Sequence, residues 1–445
     1  LSIESEASFC TNFLTERDSS CIIRRKTGAP AGKIQTVMNK YNTVFSPAEI
    51  LVPPFSADPR AMRLWSVIAC DQFTSEPAWW DACRREIGDA DSTLRYIMPE
   101  AWLGTAGEAV HAETVRRSMA SFDPSQMRRT DGFVYAERTL PDGAVRRGIV
   151  GAVDLEAYDY AEGTEPPVRA TEGTVLERIP PREKIRAEAS VELPHILVLA
   201  DDRVGLFDEA KRLSGALLYD FKLLLGGGRI RGYAIAGDAA RRMTEKIAEY
   251  EDSMGDLVYA VGDGNHSLAA AKAHWENVKR DGGGMDHPAR YALCEITPLG
   301  DDSLRFEPIY RLVKGCDPED LKRALYALTG EPIPGGQTVT LVTAKGRESL
   351  GFLTPSHALT VGTLQDFIDR YVGEHPGTVC DYIHGEESLL ALSSAPDAAG
   401  FLFGGMDKND LFPYVKAHGR LPRKTFSMGE AESKRYYLEV RRITK

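Results

Sequence analysis

No stretch of this chain stays apolar for the roughly 18–20 residues that a membrane helix needs; its hydrophobic runs are strand-sized. Cysteines are few and scattered, at Cys10, Cys21, Cys70, Cys83, Cys294, Cys316 and Cys380, with no C-x-x-C pair among them. An odd count at such spacings excludes a zinc ribbon and argues against a disulfide framework. It fits free thiols in a reducing compartment, so a cytoplasmic location is expected. Positive charge is also short: 54 Lys and Arg against 65 Asp and Glu leave a net charge of −11. A sequence-independent nucleic-acid binder needs a basic face, and none is expected here. A local basic pocket for a small phosphorylated ligand remains compatible with that balance. Neither a Walker loop nor a Rossmann glycine fingerprint is present, and no repeat or low-complexity tract interrupts the chain.

What is present reads as a globular enzyme-sized protein. The chain has 445 residues, 43% of them hydrophobic and 27% charged, a length for which two or three domains are the prior expectation. Residues 1–37 mix acids and bases without periodicity and lack a signal-peptide core. They are expected to be disordered or a start-site artefact, with the functional chain beginning at Met38. Three regions then follow: an N-terminal α+β region at 38–165, a central α/β region at 166–315 and a C-terminal α+β region at 316–445. The linker-like Glu162–Val168 marks the first boundary.

In the first region, Leu64–Cys70 reads as a buried strand and Glu76–Ile87 as a helix. Gly132–Leu140 and Ala144–Val153 form a hairpin turned by Pro141-Asp142-Gly143, whose residue types supply the angles such a turn needs. In the centre, His195–Ala200 is a strand and Leu206–Leu225 one long helix stopped by Gly226-Gly227-Gly228. Arg229–Gly237 is a strand, and Asp238 caps a helix to about Met254. Leu257–Val261 is the next strand and Ser267–Arg280 the next helix, with Leu268, Ala271, Trp275 and Val278 on one apolar stripe. Strands alternating with helices imply crossovers, so the fold class is mixed α/β (α+β) with a partly parallel central sheet.

The chemistry is expected where that last strand meets its helix, at Gly262-Asp263-Gly264-Asn265-His266-Ser267. Gly262 and Gly264 permit angles that a β-carbon forbids and let a ligand approach the backbone. The helix beginning near Ser267 offers unpaired N–H groups and a positive dipole end, which favour an anion. Asp263 could hold Mg²⁺ or take a proton, and His266 could serve as acid or base near neutral pH. The same residues also make ordinary turns and caps, and both readings stay open at this point.

Three further groups join the candidates. Thr171 and Glu172 precede a basic stretch containing Arg178 and Arg182; Glu172 suits a general base, and arginine forks match phosphate oxygens. The alternative for that stretch is a solvated polar loop. Arg423 and Lys424 sit in a Pro-initiated loop able to reach a phosphate or simply face water. His384, Glu386 and Glu387 read either as an acid/base cluster or as a helix start.

In these segments the chain resembles DUF1015, a family of conserved bacterial and archaeal proteins (domain of unknown function). The resemblance runs from about Met38 to the C-terminus. It is carried by Gly262–Leu268, Ala170–Val175, Tyr382–Glu387 and Leu421–Glu430. More distantly, the turn is similar to the D-G-H-x-R loop of ParB/sulfiredoxin-like proteins, which include free-serine kinases. Asp263 and Gly264 match that motif directly, Asn265 and His266 take its polar positions, and Ser267 stands where Arg is usual. The resemblance implies a phosphotransferase for a small hydroxylated metabolite of serine type, using a nucleotide (ATP or ADP) and Mg²⁺; the acidic balance and the lack of long apolar runs set the expectation of no nucleic-acid or membrane partner. A non-catalytic nucleotide or metabolite sensor and a metal-assisted phosphate hydrolase are the rival expectations.

Overall fold

The computed structural model describes residues 42–445; the reading of residues 1–37 lies outside them. Two sheets organise the chain. We label β1 (Arg128–Thr139), β2 (Val145–Asp154), β3 (Leu197–Ala200), β4 (Tyr259–Asp263) and β5 (Tyr291–Pro298) in the larger sheet, and β6 (Phe306–Lys314) and β7 (Phe426–Met428) in the smaller. Among the described residues the larger sheet has eleven strands and the smaller seven. The hairpin of β1 and β2 forms as its turn residues dictate, with Gly143 at φ +89°. Strand β5 pairs in parallel with β3, and β4 pairs in parallel with Val168–Ala170, while β3 and β4 run antiparallel. The fold is therefore mixed α/β with a partly parallel sheet. That sheet takes strands from both sides of the Glu162–Val168 break.

Alternation along the strands loads both faces of the larger sheet. Val134 and Val150 belong to one apolar cluster with Trp65, Trp80 and Trp102. Their neighbours Phe133, Tyr135 and Ile149 belong to another, with Trp275 and Tyr259. Helices α1 (Asp238–Met254) and α2 (Asn265–Arg280) cover that second face through Met243, Ile247, Leu268, Ala271 and Trp275. No helix of the described residues is long and apolar enough to cross a membrane.

Three local expectations are corrected. Leu64–Cys70 is not one strand: Asp58 caps a helix at Pro59–Trp65, and only Val67–Ile68 is extended. The single helix over Leu206–Leu225 is two elements, a helix at Leu206–Leu213 and a strand at Leu217–Lys222. A bulge between Leu217 and Tyr219 spoils the strand's alternation, which is why its apolar residues pass for a helix. Asp238 is the first helical residue rather than the cap, which is Gly237 with no side-chain cap bond.

Residues 426–442 run from the smaller sheet to two short strand pairs and a bridge to the larger sheet. β7 pairs with β6 of the smaller sheet. Farther on, Tyr436–Tyr437 pairs with Val67–Ile68, Arg441–Arg442 pairs with Val191–Glu192, and Leu51 bridges Val440.

Candidate functional site

The turn between β4 and α2 is built around Gly264, which sits at φ +82° in the left-handed region. A β-carbon there would lie 3.0 Å from the Ile196 side chain, so glycine is required twice over. Asp263 folds one carboxylate oxygen, Oδ1, back to accept the Gly264 N–H at 3.0 Å. No side chain caps α2, whose first-turn N–H groups are left open. The other oxygen, Asp263 Oδ2, is buried with no hydrogen-bond partner among the described residues, and so is Asn265 Oδ1. The ammonium of Lys434 stands 3.6 Å from Asp263 Oδ2. Gly262 also makes room for Met428, since a β-carbon there would meet the Met428 sulfur at 2.5 Å, and both residues line the cavity.

Above this turn opens a cavity of about 590 Å³ with walls from both sheets. Glu172, Arg178 and Arg182 line one side, and the loop Cys70–Glu76 with Glu100 and His195 another. Ile309 and His384 come from the smaller sheet, and residues 426–431 with Lys434 and Lys424 close the remaining wall. Both polarities are therefore present in one cavity, an arrangement suited to holding an anion while moving a proton.

Burial pushes the Glu172 carboxyl above its ordinary range; Lys424 and Lys434 pull the other way without overcoming it. His266 is driven down to about 4, by burial first and then by Arg182, Arg178 and Lys424. Its Nε2 accepts the Val175 N–H at 3.2 Å, so the ring is neutral and half committed to holding the 173–175 loop. That lowered proton affinity runs against the acid/base role expected of His266 near neutral pH. Burial opposes the charge of Asp71, but His195, the Gln72 amide and Lys434 outweigh it and hold that carboxyl below the usual range.

The two lysines are carried by turns that buried arginines grip from behind. Arg311, fully buried, donates to the carbonyls of Arg423 at 2.8 Å and Lys424 at 3.1 Å, and to Gln365 at 2.6 Å. Lys424 itself takes a left-handed φ of +54°, a strained setting for a lysine, which such over-determination can maintain. Arg138, from β1, donates to the carbonyls of Lys434, Glu432 and Gly227. Arg146, from β2, donates to that of Ser433 at 2.8 Å. The Lys434 ammonium is thus held by contacts made to its own backbone.

Of the sequence-derived candidates, Gly262, Asp263, Gly264, Asn265, His266, Ser267, Glu172, Arg178, Arg182 and Lys424 meet at the cavity. Arg182 is engaged by Glu100. Two candidates are corrected. Thr171 faces the core, where its hydroxyl donates to the Val261 carbonyl at 2.8 Å. Arg423 turns away to pair with Asp369 and lies over Tyr382. The His384 cluster divides: His384 reaches the cavity, while Glu386 starts a helix and pairs with Arg347. Asp71, His195, Glu100 and Lys434 were not anticipated. Among the described residues no group of three or more His, Cys, Asp or Glu side chains gathers as a metal cage would require.

A family model described as "Protein of unknown function (DUF1015)" matches residues 52–375. No curated protein matches the chain. Among solved structures, a conserved hypothetical protein from Pyrococcus furiosus aligns at 11% identity and TM-score 0.35, over 64% of this chain and 93% of the other. A free serine kinase in complex with AMP aligns at 12% identity and TM-score 0.37, over 64% and 90%. C-terminally truncated SbnI from Staphylococcus aureus aligns at 11% and 0.35, over 63% and 82%. Likenesses this distant carry no chemistry over to this chain.

Proposed function

The chain belongs to the DUF1015 family of proteins of unknown function, and we propose that its cleft transfers a phosphoryl group between a nucleotide and the hydroxyl of a small metabolite. One observation carries this reading. Two buried acceptors, Asp263 Oδ2 and Asn265 Oδ1, lack a hydrogen-bond donor among the described residues at the open end of α2, inside a cavity that also holds Lys424 and Lys434. Buried acceptors are ordinarily satisfied, so a ligand bearing a donor, such as a hydroxyl, is the natural complement. The open helix end and the lysines offer the matching place for phosphate oxygens.

In this reading the acceptor's hydroxyl oxygen forms a bond to phosphorus as the bond from phosphorus to the donor's bridging oxygen breaks. The hydroxyl proton passes to Glu172, whose raised proton affinity suits a general base. Lys424 and Lys434 offset the charge left on the departing phosphate. The α2 N–H groups orient the phosphoryl oxygens, while Asn265 Oδ1 accepts from a donor on the metabolite. Mg²⁺ binding by one or two carboxylates plus substrate phosphates is common and needs no protein cage. Asp263 would be its protein ligand here, and the ion would supply further charge neutralisation. The similarity of the turn to that of ParB/sulfiredoxin-like proteins makes serine and phosphoserine the first substrates to test, in a cytoplasmic setting.

Phosphorus NMR on purified protein with Mg²⁺, each of ATP, ADP, AMP and pyrophosphate, and serine or phosphoserine is the test. Transfer that disappears in Asp263→Asn supports the proposal. Stabilisation by nucleotide with no turnover for any acceptor replaces it with a sensor. Phosphate release that needs no acceptor replaces it with a hydrolase.

A further inference from the structure

The phosphate-handling groups occupy only part of the cavity. Its 590 Å³ is in the range of sites that enclose a whole drug-sized ligand. On the wall formed by residues 70–76, the polar run is broken by one aromatic side chain, Phe73. Its ring stacks on Trp79 with centroids 4.3 Å apart and planes 8° from parallel. Trp79 packs edge-on against Trp80, and Trp80 against Trp102, so the stack is backed by the apolar core. Phe73 lines the cavity and Trp79 does not.

Phe73 also holds a left-handed φ of +52°. For a bulky residue that conformation is a genuine outlier, and such outliers cluster at ligand clamps. Of the four non-glycine residues with positive φ among the described residues, two line this cavity: Phe73 and Lys424. One presents an aromatic face and the other an ammonium. We propose that Phe73, backed by Trp79, is the platform on which the aromatic base of a nucleotide stacks, while its phosphates reach Lys424, Lys434 and the α2 end. The inference rests on the phosphotransferase reading and names the part of the ligand that reading leaves open. Stacking on one aromatic face is tolerant of base identity, so weak discrimination between purine nucleotides is expected.

The test compares AMP, ADP and ATP with pyrophosphate, which carries the charge but no base. Binding to the full chain is followed by calorimetry and by tryptophan fluorescence. In wild type, nucleotide should alter the fluorescence and pyrophosphate should not. Phe73→Ala should weaken nucleotide binding about tenfold and leave pyrophosphate binding unchanged. Phe73→Trp, which keeps an aromatic face, should retain most of the affinity and guards against a merely misfolded loop. Equal loss of nucleotide and pyrophosphate, or no loss of nucleotide in Phe73→Ala, overturns the platform while leaving the phosphotransferase reading standing. If wild type binds neither ligand, both fall together.

Discussion

The cleft's two principal walls are made in opposite ways. The turn from Asp263 to Ser267 is local: a left-handed glycine, a carboxylate folded onto its neighbour's N–H and a helix beginning at once. The wall carrying Lys434 is assembled across the whole chain, since Arg138 grips the Lys434 carbonyl from 296 residues away. A local wall survives damage elsewhere and is sensitive mainly to its own backbone angles. The long-range wall stands only when both β1 and the closing segment are in place.

Substitutions should expose that contrast. Arg138→Met strands the carbonyls of Lys434, Glu432 and Gly227, and should cost about 3–5 kcal/mol in urea unfolding. A loss under about 1 kcal/mol would mean that the closing segment holds itself in place. Gly264→Ala acts locally, forcing a β-carbon into the left-handed region beside Ile196; a loss of about 2 kcal/mol is expected, with the rest of the fold intact by circular dichroism. His266 gives the local wall a pH signature. Its folded-state pKa of about 4 lies below the ordinary value of 6.5, so protons bind the unfolded chain more readily. Stability should therefore be full above pH 6.5 and fall as pH drops toward 4. After allowance for the ring's partial exposure, the loss is roughly 1–2 kcal/mol. His266→Gln should flatten that part of a stability-against-pH curve, and an unchanged curve would refute the assignment. Arg423→Ala should do least: its pair with Asp369 is exposed, and a change within about 1 kcal/mol, with unaltered ligand binding, is expected.

The same contrast explains what could be read in advance. The β1–β2 hairpin and the β4–α2 turn announce themselves because their determinants are adjacent in sequence. Asp142-Gly143 and Gly264 each carry their conformational demand within one or two residues. The basic pair Lys434-Arg435 follows Glu430 and Glu432 and looks like solvated surface. Both residues are in fact buried, Arg435 against Glu295 and Glu439. No periodicity records that a guanidinium on one strand will meet a carbonyl hundreds of residues later. Thr171 and Arg423 were misplaced for a related reason. Each has a neighbour, Glu172 or Lys424, that reaches the cavity, and sequence adjacency cannot say which of two consecutive side chains turns inward.

Residues 420–443 run from the smaller sheet to short strand pairs with Val67–Ile68 and Val191–Glu192. Both cavity lysines travel with that segment, whereas the glycine turn does not. On the phosphotransferase proposal, a ligand held between them would clasp stretches far apart in sequence, and its binding should shield both from proteolysis.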